Sequence, residues 1–198
     1  MRYAPEHKQA TRERILSAAE SLFRKEGFAG ASVERVMRAA GLTVGGFYAH
    51  FASKDTLLAE SVRAFFQRQQ ARWLGGLEEL RGAEFLSHFV RRYLNHHIRD
   101  NMETGCIMPS VLSDLTRGTP ASREALVEGL EALAGAIGER VPGDGVTERK
   151  RALATVALLF GAMTLARATR PLPLSDEILE AARDFLLAER APEGGGKR

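Results

Sequence analysis

Residues 32–54 read SVERVMRAAGLTVGGFYAHFASK, and the punctuation of this stretch decides the fold. Ser32 is a favoured N-cap, because its hydroxyl can accept from an orphan N–H of the first helical turn. The segment after it, Val33–Ala40, carries Val33, Val36 and Met37 on one side at helical spacing. Gly41 ends it, in a tight turn that calls for positive φ, which glycine adopts cheaply. Leu42 plugs the angle of the turn. Thr43 stands at a second cap position, and Val44–His50 reads as a second short helix with Phe47 and Phe51 turned inward. Two short helices joined this way form a helix-turn-helix, whose second helix can enter the major groove of DNA. Its outer face has little bulk, at Gly45, Gly46 and Ala49, and so permits close approach to a groove.

Outward from this motif the chain reads as helix throughout. Ile15, Leu16, Ala19, Leu22 and Phe23 make one apolar stripe on a helix predicted over 8–26, with Gly27 as its left-handed C-cap. Residues 1–7 read as loose. Ser53 caps a long helix from Lys54 towards Leu80, bent at Gly75-Gly76. Further helices are expected over 84–101 and 107–115, and from a Thr119-Pro120 start to about Arg140. Pro142–Gly145 breaks the chain, and helices over 148–169 and, capped by Ser175, to about Glu189 complete the set. Ala, Leu, Glu and Arg dominate the composition, a mixture that favours helix over strand. The expected fold class is all-α with nine helices. A three-helix DNA-binding head spans residues 1–53, a helical bundle spans 54–190, and the tail 191–198 is expected to be disordered.

The formal net charge is +3, but the first 54 residues carry nine Lys and Arg against five Glu, so the head is basic and the remainder near neutral. A polyanion-binding head needs that distribution. The single cysteine, Cys106, allows no intramolecular disulfide and fits a reducing compartment. The N-terminus lacks a signal-peptide core. The longest apolar stretch, Ala152–Ala166, is about 15 residues, below the ~18–20 that span a bilayer. A soluble, cytoplasmic protein without membrane contact is expected. No phosphate loop, paired carboxylates, nucleophile beside a base, or metal-ligand spacing occurs, so the expectation is no enzyme, no metal and no cofactor.

The run ILSAAESLFRKEGFAGASVERVMRAAGLTVGGFYAHFASKDTLL, with the nine-helix layout behind it, resembles the tetracycline-repressor (TetR) family of bacterial regulators. The resemblance lies in the head by sequence and in the whole chain by architecture. It implies a ligand-responsive transcription regulator, by the family's default a repressor, that binds a palindromic operator as a homodimer and is released by a small-molecule effector. Carried over by position, Thr43, Val44, Gly45 and Gly46 would begin the recognition helix. Ser32, Tyr48, His50 and Lys54 would meet the phosphate backbone. Hydroxyls, N–H groups at helix starts and one cation are the usual phosphate partners.

The helix over Ala152–Ala166 is apolar nearly all round and needs cover on both sides. Its small residues Ala154, Ala157, Gly161 and Ala162 allow close packing. Val156, Phe160 and Met163 on this helix, with Ile178, Ala182 and Phe185 on the last, are the expected dimer interface; closure of the monomer core is the alternative. The resemblance also implies a ligand cavity in the bundle, with Phe66, Trp73, Phe89, Tyr93, His96, His97, Met102, Met108, Phe160 and Met163 as candidates beside plain core packing. Cys106 precedes a predicted helix N-terminus near His96, His97 and Arg99, surroundings that lower a thiol's pKa. It is a candidate sensor thiol or a small buried hydrophobe.

Overall fold

The computed structural model describes residues 5–102, 105–141 and 146–188. Among the described residues there is no strand, and nine α-helices and one 3-10 helix account for the structure. They are α1 (Pro5–Gly30), α2 (Val33–Ala39), the 3-10 helix η1 (Val44–Ala49), α3 (Lys54–Leu74) and α4 (Gly82–Tyr93). After these come α5 (His96–Asp100), α6 (Met108–Leu115), α7 (Pro120–Gly138), α8 (Val146–Ala168) and α9 (Leu174–Leu187). The expected chain break at Pro142–Gly145 and the tail 191–198 lie outside the described residues.

The capping chemistry is realised at several starts. Ser32, Ser53, Asn95 and Thr119 accept from the N–H groups of Arg35, Thr56, Ile98 and Ser122. Pro5 and Pro120 open α1 and α7, where a missing N–H costs nothing. α1 therefore begins three residues before the expected Lys8.

Elsewhere the structure departs from the sequence reading. Gly27 does take positive φ (71°), but its ψ of −179° breaks the helix without capping it, and helical structure resumes to Gly30. α3 ends at Leu74 where a bent continuation was expected, because Gly75 closes on the Ala71 carbonyl and Gly76 turns the chain at φ 76°. The helix expected over 84–101 is two. Asn95 divides it by accepting from Ile98 N–H at 2.9 Å and donating to the Arg92 carbonyl at 2.9 Å, so a short amide side chain outcompetes the helical ladder. Ser175 is not the cap of α9. It lies within the first turn, buried, where its hydroxyl donates to the Ala166 carbonyl (2.6 Å) and accepts from Arg99 Nη1 (2.8 Å), fastening α9 to the end of α8.

α3 packs along α7, α8 against both α7 and α9, and α6 between α1 and α8. Phe65, Phe66, Trp73, Tyr93 and Phe160 form a continuous aromatic cluster, with ring centroids 5.2–6.4 Å apart. Most candidates for a ligand cavity (Phe66, Trp73, Phe89, Tyr93, Met108, Phe160, Met163) are buried in this packing, whereas His96 and His97 are exposed and Met102 is half-buried. α8 is long and apolar enough to cross a membrane by length and composition alone, because the helix extends past the apolar stretch at its centre. Of its most apolar window, 44% is buried against the rest of the chain.

Gly129 of α7 shows how tight the bundle is. A Cβ there would stand 2.0 Å from Cδ2 of the Phe66 ring. Alanine in place of a helical glycine normally stabilises by ~1 kcal/mol, but overpacking a filled core costs ~1–3 kcal/mol. Gly129→Ala is expected to lower stability, read as a reduced midpoint in urea unfolding with an unchanged slope.

Candidate nucleic-acid interface

The helix-turn-helix is built on a small core: Ile15, Ala19 and Phe23 of α1, Val36 and Met37 of α2, Phe47 of η1, and Phe51, all buried. The turn after α2 is fully bonded. Gly41 (φ 66°) donates its N–H to the Arg38 carbonyl, and Leu42 donates to Met37 at 2.9 Å, the paired bonds of a Schellman motif. Arg14 Nη2 donates to the Ala40 carbonyl at 2.6 Å. The turn is thus fixed by backbone geometry and held from α1.

Beyond the turn the chain forms a 3-10 helix, where an α-helix was expected. With three residues per turn, side chains stack in rows three apart. Phe47 faces the core and stacks on Phe51 (5.7 Å), while Val44, Gly45, Tyr48 and Ala49 face solvent. Tyr48 is 70% exposed and keeps its place through an edge-to-face contact of its ring with Phe47 at 5.2 Å. Thr43 precedes η1 in extended conformation, exposed, its side chain making no cap hydrogen bond. A Cβ at Gly45 would meet nothing within 4 Å, and one at Gly46 only Met37 Cε at 3.7 Å. Neither glycine has positive φ. The fold itself does not call for glycine at either position.

The polar candidates differ in how they are engaged. Ser32 Oγ accepts from Arg35 N–H (3.2 Å) and, on an exposed residue, keeps its own proton to donate. His50 has a buried Nδ1 without a hydrogen-bond partner; burial, then the nearby Lys8, Arg12 and His7, hold its pKa below the usual histidine value. Lys54 is turned inward: its ammonium donates to the Phe28 carbonyl and sits 4.1 Å over the Phe28 ring. Burial lowers its pKa against the opposing pull of Asp114 and Asp55. Arg35 binds the Glu26 carboxylate and the Gly30 carbonyl, and Arg38 pairs with Glu34. The start of α1 contributes what the sequence reading passed over. His7, Lys8 and Arg12 gather around the end of η1, and the available signal was Pro5, which begins the helix early enough to place them there.

Away from the head, the expected dimer residues divide. Val156, Phe160, Met163 and Ala182 are buried within the chain's own core, whereas Ile178 is half-buried and Phe185 is 66% exposed. The first four are therefore corrected to core positions; a helix apolar on all sides gives periodicity no means of telling its inner face from its outer one. The outer face of α8 instead carries Leu153, Ala154, Ala157, Gly161 and Leu165. Cys106 is enclosed beside Tyr93 and Arg167. Burial pushes its thiol up to about 11, outweighing the downward pull of Tyr93, the Met108 N–H, Arg167 and Arg24. His96 and His97, counted as its activating neighbours, lie exposed on α5.

A basic three-helix head with an exposed, sparsely built second helix, followed by an all-helical bundle, defines a helix-turn-helix DNA-binding protein. Residues 15–61 match the family described as bacterial regulatory proteins, tetR family. The chain is 33% identical over 82 residues to the HTH-type transcriptional regulator UidR of Escherichia coli, a match covering 41% of this chain and 40% of UidR's own length. It is 27% identical over 192 residues to the uncharacterized HTH-type regulator Rv0196 of Mycobacterium tuberculosis, covering 91% of this chain and 96% of that protein. Among solved structures it resembles E. coli NemR in its reduced form (TM-score 0.73, 21% identity, 89% of this chain and 95% of that one). It also resembles a TetR regulator from Chloroflexus aurantiacus (TM-score 0.74, 24% identity, 92% and 94%). Residues 15–61 thus carry a tetR-family DNA-binding segment, and the whole chain shares the fold of solved TetR regulators.

A thiol near 11 is almost wholly protonated at neutral pH. Maleimide or iodoacetamide is therefore expected to leave Cys106 unmodified in the native protein and to label it fully in denaturant, as read by intact mass. Stoichiometric native labelling at pH 7 would restore a reactive thiol.

Proposed function

We propose that the protein is an effector-responsive repressor that binds a palindromic operator as a homodimer. Residues 1–53 read DNA, and residues 54–190 pair the subunits and receive a small-molecule effector in the cytoplasm. The observation that carries this is the outer face of η1. Val44, Gly45, Tyr48 and Ala49 are exposed, and Gly45 faces open space with no conformational reason to be glycine. A surface kept bare without internal need suits close approach by something outside the chain, and on a helix-turn-helix that is the major groove. Thr43 and Val44 stand where base edges would be met. Ser32, Tyr48 and His50 surround them as phosphate partners, and Lys54 would have to exchange the Phe28 carbonyl for a phosphate.

A single head reads few base pairs, and pairing through a two-fold axis doubles the site. The outer faces of α8 and α9 support that pairing. Leu153, Ala157, Gly161 and Leu165 on one helix and Leu174, Ile178 and Phe185 on the other form adjoining apolar stripes that the chain does not cover fully. Gly161 is the informative member, since a Cβ there would meet nothing within 4 Å. A glycine inside a helix costs ~1 kcal/mol, a cost offset when a second helix crosses closely at that point.

A mobility shift with the DNA upstream of the protein's own gene, challenged with random competitor, tests the function directly. A discrete, competitor-resistant complex is expected, and binding lost equally to any sequence would replace the regulator by a non-specific DNA binder. Gly45→Val is expected to change unfolding stability by no more than ~0.5 kcal/mol, as surface substitutions do, yet to weaken operator binding on the ~1–3 kcal/mol scale of a disturbed base-pair contact. Leu165→Glu is expected to yield monomers in analytical ultracentrifugation while far-UV circular dichroism stays unchanged. A dimer of wild-type affinity would place the interface elsewhere.

A further inference from the structure

An open groove of about 670 Å³ lies between α1 and α2. Along one wall stand Arg14, Ser17, Ser21 and Lys25, a single face of α1 at helical spacing. The opposite wall is Ala39, Ala40 and Gly41, which present nothing larger than a methyl group. Two cations, two hydroxyls and no carboxylate line the groove. The guanidinium of Arg14 is spent on a neutral partner, the Ala40 carbonyl, so its charge stays in the groove.

The groove opens beside the recognition element. Gly41 is two residues from Thr43, so its end lies within ~7 Å of the residue that precedes η1. At the other end of η1, Lys8 and Arg12 act on His50, and Arg12 also pairs with Glu60. Six residues of 3-10 helix at ~2.0 Å each give a rod ~12 Å long, the width of the major groove. Cationic side chains thus stand near both ends of a rod matched to the space between two phosphate strands. Along α1, Arg14 and Lys25 are ~16 Å apart at ~1.5 Å per residue, long enough to lie against more than one phosphate of a strand.

We propose that the α1–α2 groove seats the phosphate backbone of operator DNA beyond the base pairs that η1 reads, so that the protein binds a longer duplex than its helix-turn-helix alone requires. Lys25 and Arg14 supply the attraction, and Ser17 and Ser21 donate to phosphate oxygens. The alanine and glycine wall lets the strand come close. The proposal rests on the DNA-binding function proposed for the head.

Its test compares two duplexes, one ending at the outermost base pair of the operator and one extended by about one helical turn, ~10 base pairs, on each side. Wild type, Lys25→Gln and Ser17→Glu are titrated on both across a range of salt, with thermal unfolding midpoints confirming that each variant folds. On the extended duplex, Lys25→Gln is expected to weaken binding and to flatten the salt slope by about one unit per subunit. Ser17→Glu, which sets a negative charge against the strand, weakens it further. On the short duplex both variants match wild type. Equal affinity of all three proteins for the extended duplex overturns the proposal, and so does an equal loss on both duplexes, which would place the groove inside the core site. A wild-type protein with no competitor-resistant complex removes the regulator function itself, and this proposal with it; a failure confined to the variants leaves that function standing. Should Ser17→Glu not fold, Lys25→Gln decides alone.

Discussion

The break in α1 at Gly27 is the constraint on which the rest of the molecule depends. An unbroken helix keeps its backbone groups for itself. Here the interruption releases them: the Arg24 carbonyl accepts from Ser110 Oγ at 2.8 Å, and Phe28 N–H donates to Asp114 Oδ2 at 3.1 Å. The Phe28 carbonyl takes the ammonium of Lys54. Residues on either side of one glycine therefore tie the helix-turn-helix to α6 and to the first turn of α3. Leaving a backbone group of this kind buried and unmatched costs ~1–3 kcal/mol, so α1 and α6 are energetically bound to move together. A side chain at Gly27 would meet the Ser110 carbonyl at 3.3 Å and the strain of positive φ as well.

Set against Gly27, the other glycines sort by whether the chain itself explains them. Gly41 has its turn, Gly129 makes room for the Phe66 ring, and Gly105 is pressed by the Arg167 guanidinium and by two carbonyls, with a Cβ contact as close as 2.3 Å. Gly45 and Gly161, like Gly135 and Gly138 of α7, have neither positive φ nor a close neighbour. Gly45 lies on the outer face of η1 and Gly161 on the outer face of α8. Glycine in such places is a cost to the isolated chain, and under the proposed function contacts from outside, DNA at one and a second subunit at the other, would offset it.

Helix starts are legible in the sequence because caps are local: Ser32, Ser53 and Thr119 act through N–H groups three residues on, within reach whatever the tertiary structure. The same locality makes Gly41 legible. Features decided by distant partners are not. Ser175 has the composition of a cap, but Arg99 and Ala166, remote in sequence, recruit it. Lys54 has the position of a phosphate ligand, but a ring and a carbonyl from α1 hold it in the free chain. Cys106 has activating neighbours in sequence and burial in space, and burial dominates its titration. The inner and outer faces of α8 differ only in what packs on them, which no periodicity can encode when every face is apolar.

The filled bundle limits how the proposed effector could act. Phe65, Phe66, Trp73, Tyr93 and Phe160 occupy the space between α3, α4 and α8, and Phe66 is seated against Gly129 of α7. A ligand entering there has to displace rings, and displaced rings push apart helices that now touch. α8 is not free to move alone: Arg167 near its end donates to the carbonyls of Cys106, Ile98 and Arg99, and so holds the segment that leads into α6. α6 in turn grips α1 through Ser110 and Asp114. The bundle and the head are therefore joined through hydrogen bonds to backbone groups at two successive junctions, α8 to the α6 segment and α6 to α1. Under the proposed function, linkage would then make the operator disfavour an effector by the same factor with which that effector disfavours the operator.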